Sequence, residues 1–231
     1  MKWTNELSRN ASWGKTINNR KQKEMVAKKL ALRLKSGDVV GVGSGSTSYL
    51  TLLALAARRD KEGTIFTAIT TSIEMELVCA ALSIPVTLLR VERPDWSFDG
   101  ADEVDAQHNL IKGRGGALLR EKMLIQASPE AYIVIDISKH VIHLGQKCAV
   151  PLEIHADAID VVHTALAKIK EVKTVVLRQA VAKDGPVITE NGNLILDVMF
   201  SQIPIGMEKQ LKCIVGVVES GLFQGYPIKL V

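Results

Sequence analysis

The sequence is poor in cysteine, with only three thiols in 231 residues. Cys79, Cys148 and Cys213 each lie in an apolar stretch, and none stands in a CxxC or Cys/His spacing. This pattern argues against a disulfide framework and predicts buried thiols in a reducing compartment.

Long apolar runs are also missing. Met1 to Arg20 carries polar residues throughout and lacks the continuous apolar stretch of a signal peptide. No later segment reaches the roughly 18 uninterrupted apolar residues of a membrane-spanning helix. We therefore expect a cytoplasmic protein without a membrane partner.

There is no strong excess of one charge, because 29 Lys and Arg stand against 25 Asp and Glu, a net charge of +4. That balance does not indicate a nucleic-acid partner, and a small anionic substrate explains it equally well. Part of the basic excess is local and interleaved with Asn and Gln, which is typical of a solvated helix face: Lys15, Arg20, Lys21, Lys23, Lys28 and Lys29.

What the chain does contain is enough apolar side chains, 47% of all residues, for a proper core. Val39 to Val42 predicts a buried strand that runs into a glycine-rich turn and a helix, the unit from which doubly wound parallel sheets are built. Further helices are predicted at 23–34, 73–82 and 118–126, and further strands at 64–70, 86–89, up to Phe98, and 132–135, the last strand that we assign to this layer.

The pattern changes after Gly145. It predicts strands at 151–154 and 174–178, a helix at 158–169, and a hairpin of 187–189 and 194–199 around Asn191-Gly192. Residues 214–218 are expected to return the chain to the first domain. The predicted fold class is α/β, with a Rossmann-like, doubly wound, mostly parallel sheet in 1–148 plus 216–231 and a second, smaller α+β domain in 149–215.

The loop Gly43 to Thr47 lies where a strand ends and a helix begins, so backbone N–H groups and the helix dipole converge there. It lacks the Lys of a P-loop and the third Gly of a dinucleotide fingerprint, which favours the phosphate of a small molecule. A structural turn that binds nothing is the alternative. The candidate ligands are Ser44, Gly45, Ser46 and Thr47.

A second candidate is the acidic segment Asp99 to Asp105, directly after a predicted strand. Ligands bind at the carboxyl ends of strands in open parallel sheets. Carboxylates suit hard cations, but no His ligand or EF-hand spacing accompanies these. They can instead hydrogen-bond sugar hydroxyls and move protons. An acidic surface turn is the alternative for Asp99, Gly100, Ala101 and Asp102.

The third candidate segment runs from Lys112 to Lys122. Its glycines allow close backbone approach to a ligand, and Lys112 offers a cation for a phosphate or a developing oxyanion. Glu121 alone fits an ordinary helix-surface residue, and Lys139 alone a surface lysine, so context decides both. The five histidines form no zinc pattern, and no nucleophile elbow is present, so we expect no metal and no cofactor.

Taken together and in chain order, these motifs resemble those of type A ribose-5-phosphate isomerases. The resemblance spans roughly residues 20 to 225, and any two of its long motifs together are highly specific. The matching segments are 41–47, 99–105, 112–122, 138–139, 151–154, 189–197 and 216–223.

The resemblance implies interconversion of ribose 5-phosphate and ribulose 5-phosphate in the non-oxidative pentose phosphate pathway, through an enediolate and without a metal. It implies that Glu121 is the base, that Lys112, Asp99 and Asp102 assist it, and that the protein is a homodimer or homotetramer. Substrate contacts are implied at Ser44 to Thr47, Asp99 to Asp102, Lys112, Gly113, Arg114, Gly115 and Lys139.

The chain departs from the family pattern at three places. Ser44 stands where Thr is common and keeps the hydroxyl, and Arg114 interrupts the glycine run. Family members usually continue beyond Phe223 through a further strand and a short basic stretch, whereas this chain has only Gln224 to Val231 there. The difference concerns the last sheet strand or an oligomer contact rather than the catalytic set.

Two other functional classes compete with the isomerase. A non-catalytic sugar-phosphate sensor would use a similar α/β core, but residues before Gly37 leave little room for a DNA-binding helix-turn-helix. A CoA or acyl transferase of similar fold would use a Glu nucleophile, yet nothing in the sequence indicates a CoA-binding extension. Turnover of the pentose phosphate discriminates among the three.

Overall fold

The computed structural model describes residues 13–14 and 16–231. Its helices are α1 (Arg20–Ala31), α2 (Gly45–Glu62), α3 (Ile73–Ala81), α4 (Leu118–Ala127), α5 (Ile159–Leu166) and α6 (Met207–Lys212). Its strands are β1 (Val39–Val42), β2 (Thr67–Thr70), β3 (Val86–Thr87), β4 (Trp96–Asp99), β5 (Glu103–Val104), β6 (Leu110–Ile111), β7 (Ala131–Ile133), β8 (Val150–Ile154), β9 (Val172–Leu177), β10 (Leu194–Phe200), β11 (Val217–Ser220), β12 (Leu222–Phe223) and β13 (Ile228–Leu230).

The chain forms two compact units. The first comprises the described residues up to Gly100 together with Met123–Asp136 and Pro227–Val231, and the second comprises Ala101–Lys122 and Ile137–Tyr226. The predicted domains, 1–148 plus 216–231 and 149–215, have other bounds, and that division remains a prediction.

The first unit contains a six-stranded sheet in the order β13-β7-β4-β1-β2-β3, and every strand pair in it is parallel. Val40 and Val42 of β1 are fully buried, because a central parallel strand is covered on both faces. They share a core with Leu52 and Leu55 of α2 and Phe98 of β4. The predicted doubly wound α/β fold is confirmed.

The places of β13 and β11 in the sheets differ from two expectations. β13 pairs with β7 in parallel, Ile228 opposite Ala131, so the short tail does supply a last sheet strand and β7 is not the final one. The segment predicted at 214–218 does not return to this sheet. Val217 of β11 lies opposite Ile154 of β8 in an antiparallel pair of the second unit. An apolar run indicates a strand but does not specify its partner.

The second unit holds a four-stranded antiparallel sheet, β11-β8-β10-β9, and a three-stranded sheet, β12-β6-β5. Leu152 and Val198 of the larger sheet share a core with Val162 and Leu166 of α5. The predicted small α+β part is confirmed, although α6 and the two-residue strands β5, β6 and β12 were too short to predict from periodicity.

The predicted hairpin at Asn191-Gly192 is only partly right. The turn forms, since the Gly192 N–H donates to the Thr189 carbonyl at 2.9 Å. However, Ile188 makes only an isolated bridge with Leu194, and β10 pairs along its length with β8 and β9 instead. Ile188 is thus paired at one position, whereas β8 and β9 are each paired with β10 at five.

Two expectations about solvent exposure also need correction. Cys79 is buried as predicted, and burial, with help from Glu76, raises the pKa of its thiol to about 12. Cys148 is only half-buried, and Cys213, which caps the C-terminal end of α6, is exposed. In the basic segment, Lys23 is only 7% exposed and is not on a solvated face. Lys15 lies outside the described residues.

Candidate active site

The glycine-rich loop of the first unit joins β1 to the start of α2. Ser44 is extended, with φ −104° and ψ 169°, and α2 begins at Gly45. The N–H groups of the first helical turn have no partner within the helix, and the helix dipole is positive at this end. Ser44, Gly45 and Ser46 are half-buried and Thr47 is buried. The predicted anion loop therefore has the expected local geometry.

Lys23 extends this group, and sequence reasoning missed it. Its Nζ lies 3.3 Å from the Ser46 Oγ and 3.9 Å from a carboxylate oxygen of Asp136. Its spacing from Ala27 and Leu30, both buried on α1, places it on the inward face of the helix. That spacing was the available signal, and the surrounding basic residues obscured it.

Asp99 ends β4 next to the same loop and is 3% exposed. Its Oδ1 accepts the Gly100 N–H at 2.7 Å and lies 3.4 Å from the Ser48 Oγ. A Cβ placed on Gly43 would lie 2.0 Å from the Asp99 Cγ, so only glycine fits opposite this carboxylate. A Cβ on Gly100 would lie 3.6 Å from the Thr47 Cβ. The structure thus groups Ser44 to Thr47 with Asp99 and Gly100.

In the second unit, Lys112 and Glu121 form a buried pair. The Lys112 Nζ lies 3.4 Å from the Glu121 Oε2, and the side chains are 3% and 5% exposed. Lys112 directly follows β6, and its N–H donates to the Gly221 carbonyl at 2.9 Å. Glu121 is in the first turn of α4. Glu121 is therefore not an ordinary surface residue of its helix.

Lys122, the next residue of α4 after Glu121, is also buried and makes three hydrogen bonds. The Lys122 Nζ donates to Glu208 at 2.6 Å, to Glu219 at 2.9 Å and to the Leu222 carbonyl at 2.7 Å. Burial alone would raise the pKa of Glu219, but the Lys122 ammonium and its hydrogen bonds lower that pKa overall. This network fixes the turn of α4 that carries Glu121.

Asp102 and the glycine segment after Lys112 also lie in the second unit. The Asp102 Oδ2 accepts the Arg114 N–H at 3.1 Å, while Arg114 and Gly115 are exposed. Gly113 has φ +98°, and a Cβ there would lie 2.8 Å from the Leu118 Cβ. The turn therefore requires glycine at Gly113.

Lys139 is half-buried at the end of a short 3₁₀ turn, Ile137–Lys139. The loop after it is held by Glu103, whose carboxylate accepts the N–H groups of Gly145 at 2.6 Å and Cys148 at 2.7 Å. Burial, then Asp102 and Glu103, raise the pKa of the Cys148 thiol, while Lys139 opposes them. Asp102 and Lys139 therefore influence the pKa of the same thiol in opposite directions. Glu103 belongs to the predicted acidic segment, but it is fully buried and holds this loop, a role that the sequence did not indicate.

Residues that sequence reasoning assigned to one site thus fall into two described groups. The first unit holds Ser44, Gly45, Ser46, Thr47, Asp99 and Gly100, and the second holds Ala101, Asp102, Lys112, Gly113, Arg114, Gly115, Glu121 and Lys139. Within residues 13–14 and 16–231, no cluster of three His, Cys, Asp or Glu residues could hold a metal ion. Among the helices of that same part of the chain, none is long and apolar enough to cross a membrane.

Comparison with known proteins supplies the family. Residues 67–231 match the family model for ribose 5-phosphate isomerase A, also called phosphoriboisomerase A. A ribose-5-phosphate isomerase A from a Synechococcus species is 44% identical over 207 residues, covering 88% of each chain. The chain belongs to the ribose 5-phosphate isomerase A family.

Solved structures of this isomerase family agree with the fold. The ribose 5-phosphate isomerase A of Methanocaldococcus jannaschii has a TM-score of 0.87 at 36% identity, covering 92% of this chain and 95% of that one. A D-ribose-5-phosphate isomerase in complex with phospho-erythronic acid has a TM-score of 0.87 at 34% identity, covering 93% and 95%. The resemblance seen in the sequence motifs is confirmed as family membership.

Proposed function

We propose that this chain interconverts D-ribose 5-phosphate and D-ribulose 5-phosphate by moving a proton through an enediolate. The observation that carries the proposal is the buried Lys112–Glu121 pair, with 3.4 Å between ammonium and carboxylate. Family membership supports it, and so does the relative solved with phospho-erythronic acid, a sugar-acid phosphate. The sensor and CoA transferase alternatives receive no such support.

The chemistry needs a base and a fixed positive charge. Removing the C2 proton of the aldose places negative charge on the C1 oxygen. Moving the hydroxyl proton from O2 to O1 and returning the carbon proton to C1 then gives the ketose. Glu121 takes and returns the proton, and Lys112 stabilises the oxyanion. Because both side chains are at most 5% exposed, water screens their charges little. Lys112 provides the positive charge that a metal supplies in other enzymes, so the reaction needs no metal or other cofactor.

The remaining roles follow from each group's chemistry. In the first unit, Ser44 to Thr47 and the Lys23 ammonium bind the phosphate, and Gly100 contacts sugar hydroxyls. Asp99 also contacts a sugar hydroxyl and, as a carboxylate, assists ring opening by moving its proton. In the second unit, Asp102 assists ring opening and moves a hydroxyl proton, while Ala101, Gly113, Arg114, Gly115 and Lys139 contact substrate. A fixed phosphate also disfavours elimination by holding the substrate's geometry.

The proposal also includes the cellular location and the oligomeric state of the protein. The protein acts in the cytoplasm, as its sequence composition predicts. It assembles as a homodimer or a homotetramer, as the family resemblance implies. Neither property enters the chemistry assigned above, so each is tested on its own by fractionation and by light scattering.

The decisive experiment is turnover of ribose 5-phosphate in the presence of a chelator. We expect full activity with EDTA, and a folded sample without turnover would refute the proposed function. Loss of turnover on chelation would instead refute the metal-free mechanism.

The assignment of Glu121 needs its own variant. E121Q should still bind the phosphosugar but should no longer exchange the C2 hydrogen with solvent deuterium. E62Q, at the exposed end of α2, is the matched control and should exchange at the wild-type rate. Wild-type exchange by E121Q would remove Glu121 from its role as the base.

A further inference from the structure

Arg178 is a half-buried arginine, and an aspartate binds one side of its guanidinium group. It directly follows β9, and its N–H donates to the Ile195 carbonyl at 2.9 Å, which continues the pairing with β10. Its Nε donates to the Asp197 Oδ2 at 2.8 Å, and its Nη2 donates to the Asp197 Oδ1. The two side chains are only 17% and 26% exposed. This two-point contact fixes the plane of the guanidinium.

The third nitrogen of Arg178 points to the loop that follows Lys112. Its Nη1 donates to the carbonyl oxygens of Gly113 and Arg114, each at 3.0 Å. The Gly113 carbonyl also accepts the Gly116 N–H at 3.0 Å, which closes the turn. Arg178 thus ties this turn to a rigid strand pair of the second unit.

The peptide between Gly113 and Arg114 is held at both of its polar ends. Its carbonyl oxygen faces the Arg178 cation, and its N–H donates to the Asp102 Oδ2 at 3.1 Å. A cation at the carbonyl polarises the peptide and strengthens the hydrogen bond made by its N–H. Asp197, Arg178, this peptide and Asp102 therefore form one chain of alternating charges and dipoles.

We infer that Arg178 is a positioning residue for the isomerase reaction, which sets the orientation of Asp102 through the Gly113–Arg114 peptide. The inference rests on the proposed function, because it assumes that Asp102 acts on the substrate. Arg178 itself needs no contact with the sugar. A purely structural tie between β9, β10 and the loop is the competing explanation, and it predicts lost stability without a specific effect on turnover.

Arg59 provides a matched control in the first unit. Its Nη1 also donates to two successive carbonyls, Leu82 at 2.8 Å and Ser83 at 3.4 Å, and its Nε donates to Asp60 at 2.8 Å. These carbonyls follow α3 and belong to neither group of candidate site residues. R59Q therefore removes an arginine of the same bonding pattern without touching Asp102.

The test compares steady-state turnover of ribose 5-phosphate by wild type, R178Q, R178K, R178A and R59Q, each with its melting temperature recorded. A displaced catalytic group costs up to about 100-fold in rate. We expect R178Q to lose about 10- to 100-fold in kcat with KM changed less than about threefold. R178K keeps the charge and should recover part of the loss, and millimolar guanidinium should partly rescue R178A. R59Q should keep the wild-type kcat.

A double-mutant cycle tests the route through Asp102. At high enzyme concentration, R178Q should change the residual kcat of D102N by less than about threefold, since neighbours that act through one another are not additive. Equal R178Q losses in both backgrounds would overturn the inference, as would a folded R178Q with wild-type kcat or an R59Q as impaired as R178Q. An inactive wild type would refute the proposed function instead, so the two failures are distinguishable.

Discussion

Gly43→Ala is the most exacting test of the first group of candidate site residues. Gly43 is not in the left-handed region, so an alanine suits its backbone. The obstacle is steric, because the new Cβ would lie 2.0 Å from the Cγ and 2.2 Å from the Oδ1 of Asp99. Real Cβ atoms essentially never come within 3.0 Å of a neighbour, and ordinary contacts begin at 3.4 Å, so the Asp99 carboxylate must move by about 1.0 to 1.4 Å.

The size of the effect follows from that displacement. Asp99 is 3% exposed and hydrogen-bonded to Gly100, so it has no solvent to move into without losing that bond. Overpacking a buried position costs about 1–3 kcal/mol of stability. Misplacing a catalytic group by about 1 Å costs about 100-fold in rate, close to 3 kcal/mol in the barrier. We therefore expect G43A to remain folded and to lose about 100-fold in kcat/KM.

The assay is turnover of ribose 5-phosphate by folded protein, with thermal unfolding measured in parallel. Gly63→Ala is the matched control at the other end of α2. A Cβ there meets nothing within 4 Å, and its φ of +67° costs about 1–2 kcal/mol of backbone strain. G63A should lose stability and keep activity. A folded G43A with kcat/KM within threefold of wild type would refute the steric reasoning and the role of Asp99.

Two predictions concern stability. K122M should lower the free energy of unfolding by about 1–3 kcal/mol, because the half-buried Glu208 and the buried Glu219 carboxylates lose their shared cation, while Lys212 still pairs with Glu219 at 3.0 Å. Urea denaturation measures the loss in free energy of unfolding. The double variant K122M/E219Q should recover part of that loss, and a loss below about 1 kcal/mol in K122M would contradict the prediction. Hydrogen bonds from Lys229 and the Tyr132 hydroxyl lower the pKa of Glu130 from 4.5 to about 2. Its contribution to stability is therefore present above about pH 4.5 and lost as the pH falls toward 2. The difference in melting temperature between wild type and E130Q should shrink over that range and with added salt, whereas a pH-independent difference would disprove the assignment.

Much of the fold was predictable because its signals are local. The valine strand, the loop Gly43 to Thr47 and the helix after it form one contiguous unit, and the alternation of helices and strands continues to Ile133. The order of these elements is enough to predict a parallel sheet, since parallel strands need a crossover helix. The family, too, could be recognised from contiguous motifs.

Strand partners were not predictable in the same way. An apolar run such as Val217–Ser220 fits any sheet with a free edge, and its place beside β8 depends on how much surface each pairing buries. The same holds for β13, only three residues long, which finds its partner about 100 positions earlier in the chain. Pairing energy is a property of the assembled sheet and leaves little trace in a short strand's own residues.

The sequence by itself determined the acidic segment at the end of a predicted strand, with Asp99, and the order of motifs whose family resemblance implied Lys112 and Glu121. Only the tertiary structure decided that Lys23 and Glu121, both flanked by other charges, are buried. It alone brought Arg178 to the turn at Gly113, 65 residues away in the chain. The reason is physical: side-chain chemistry and local backbone preference belong to a residue and its neighbours, whereas burial, and with it the strength of a charge, exists only once distant segments have packed together.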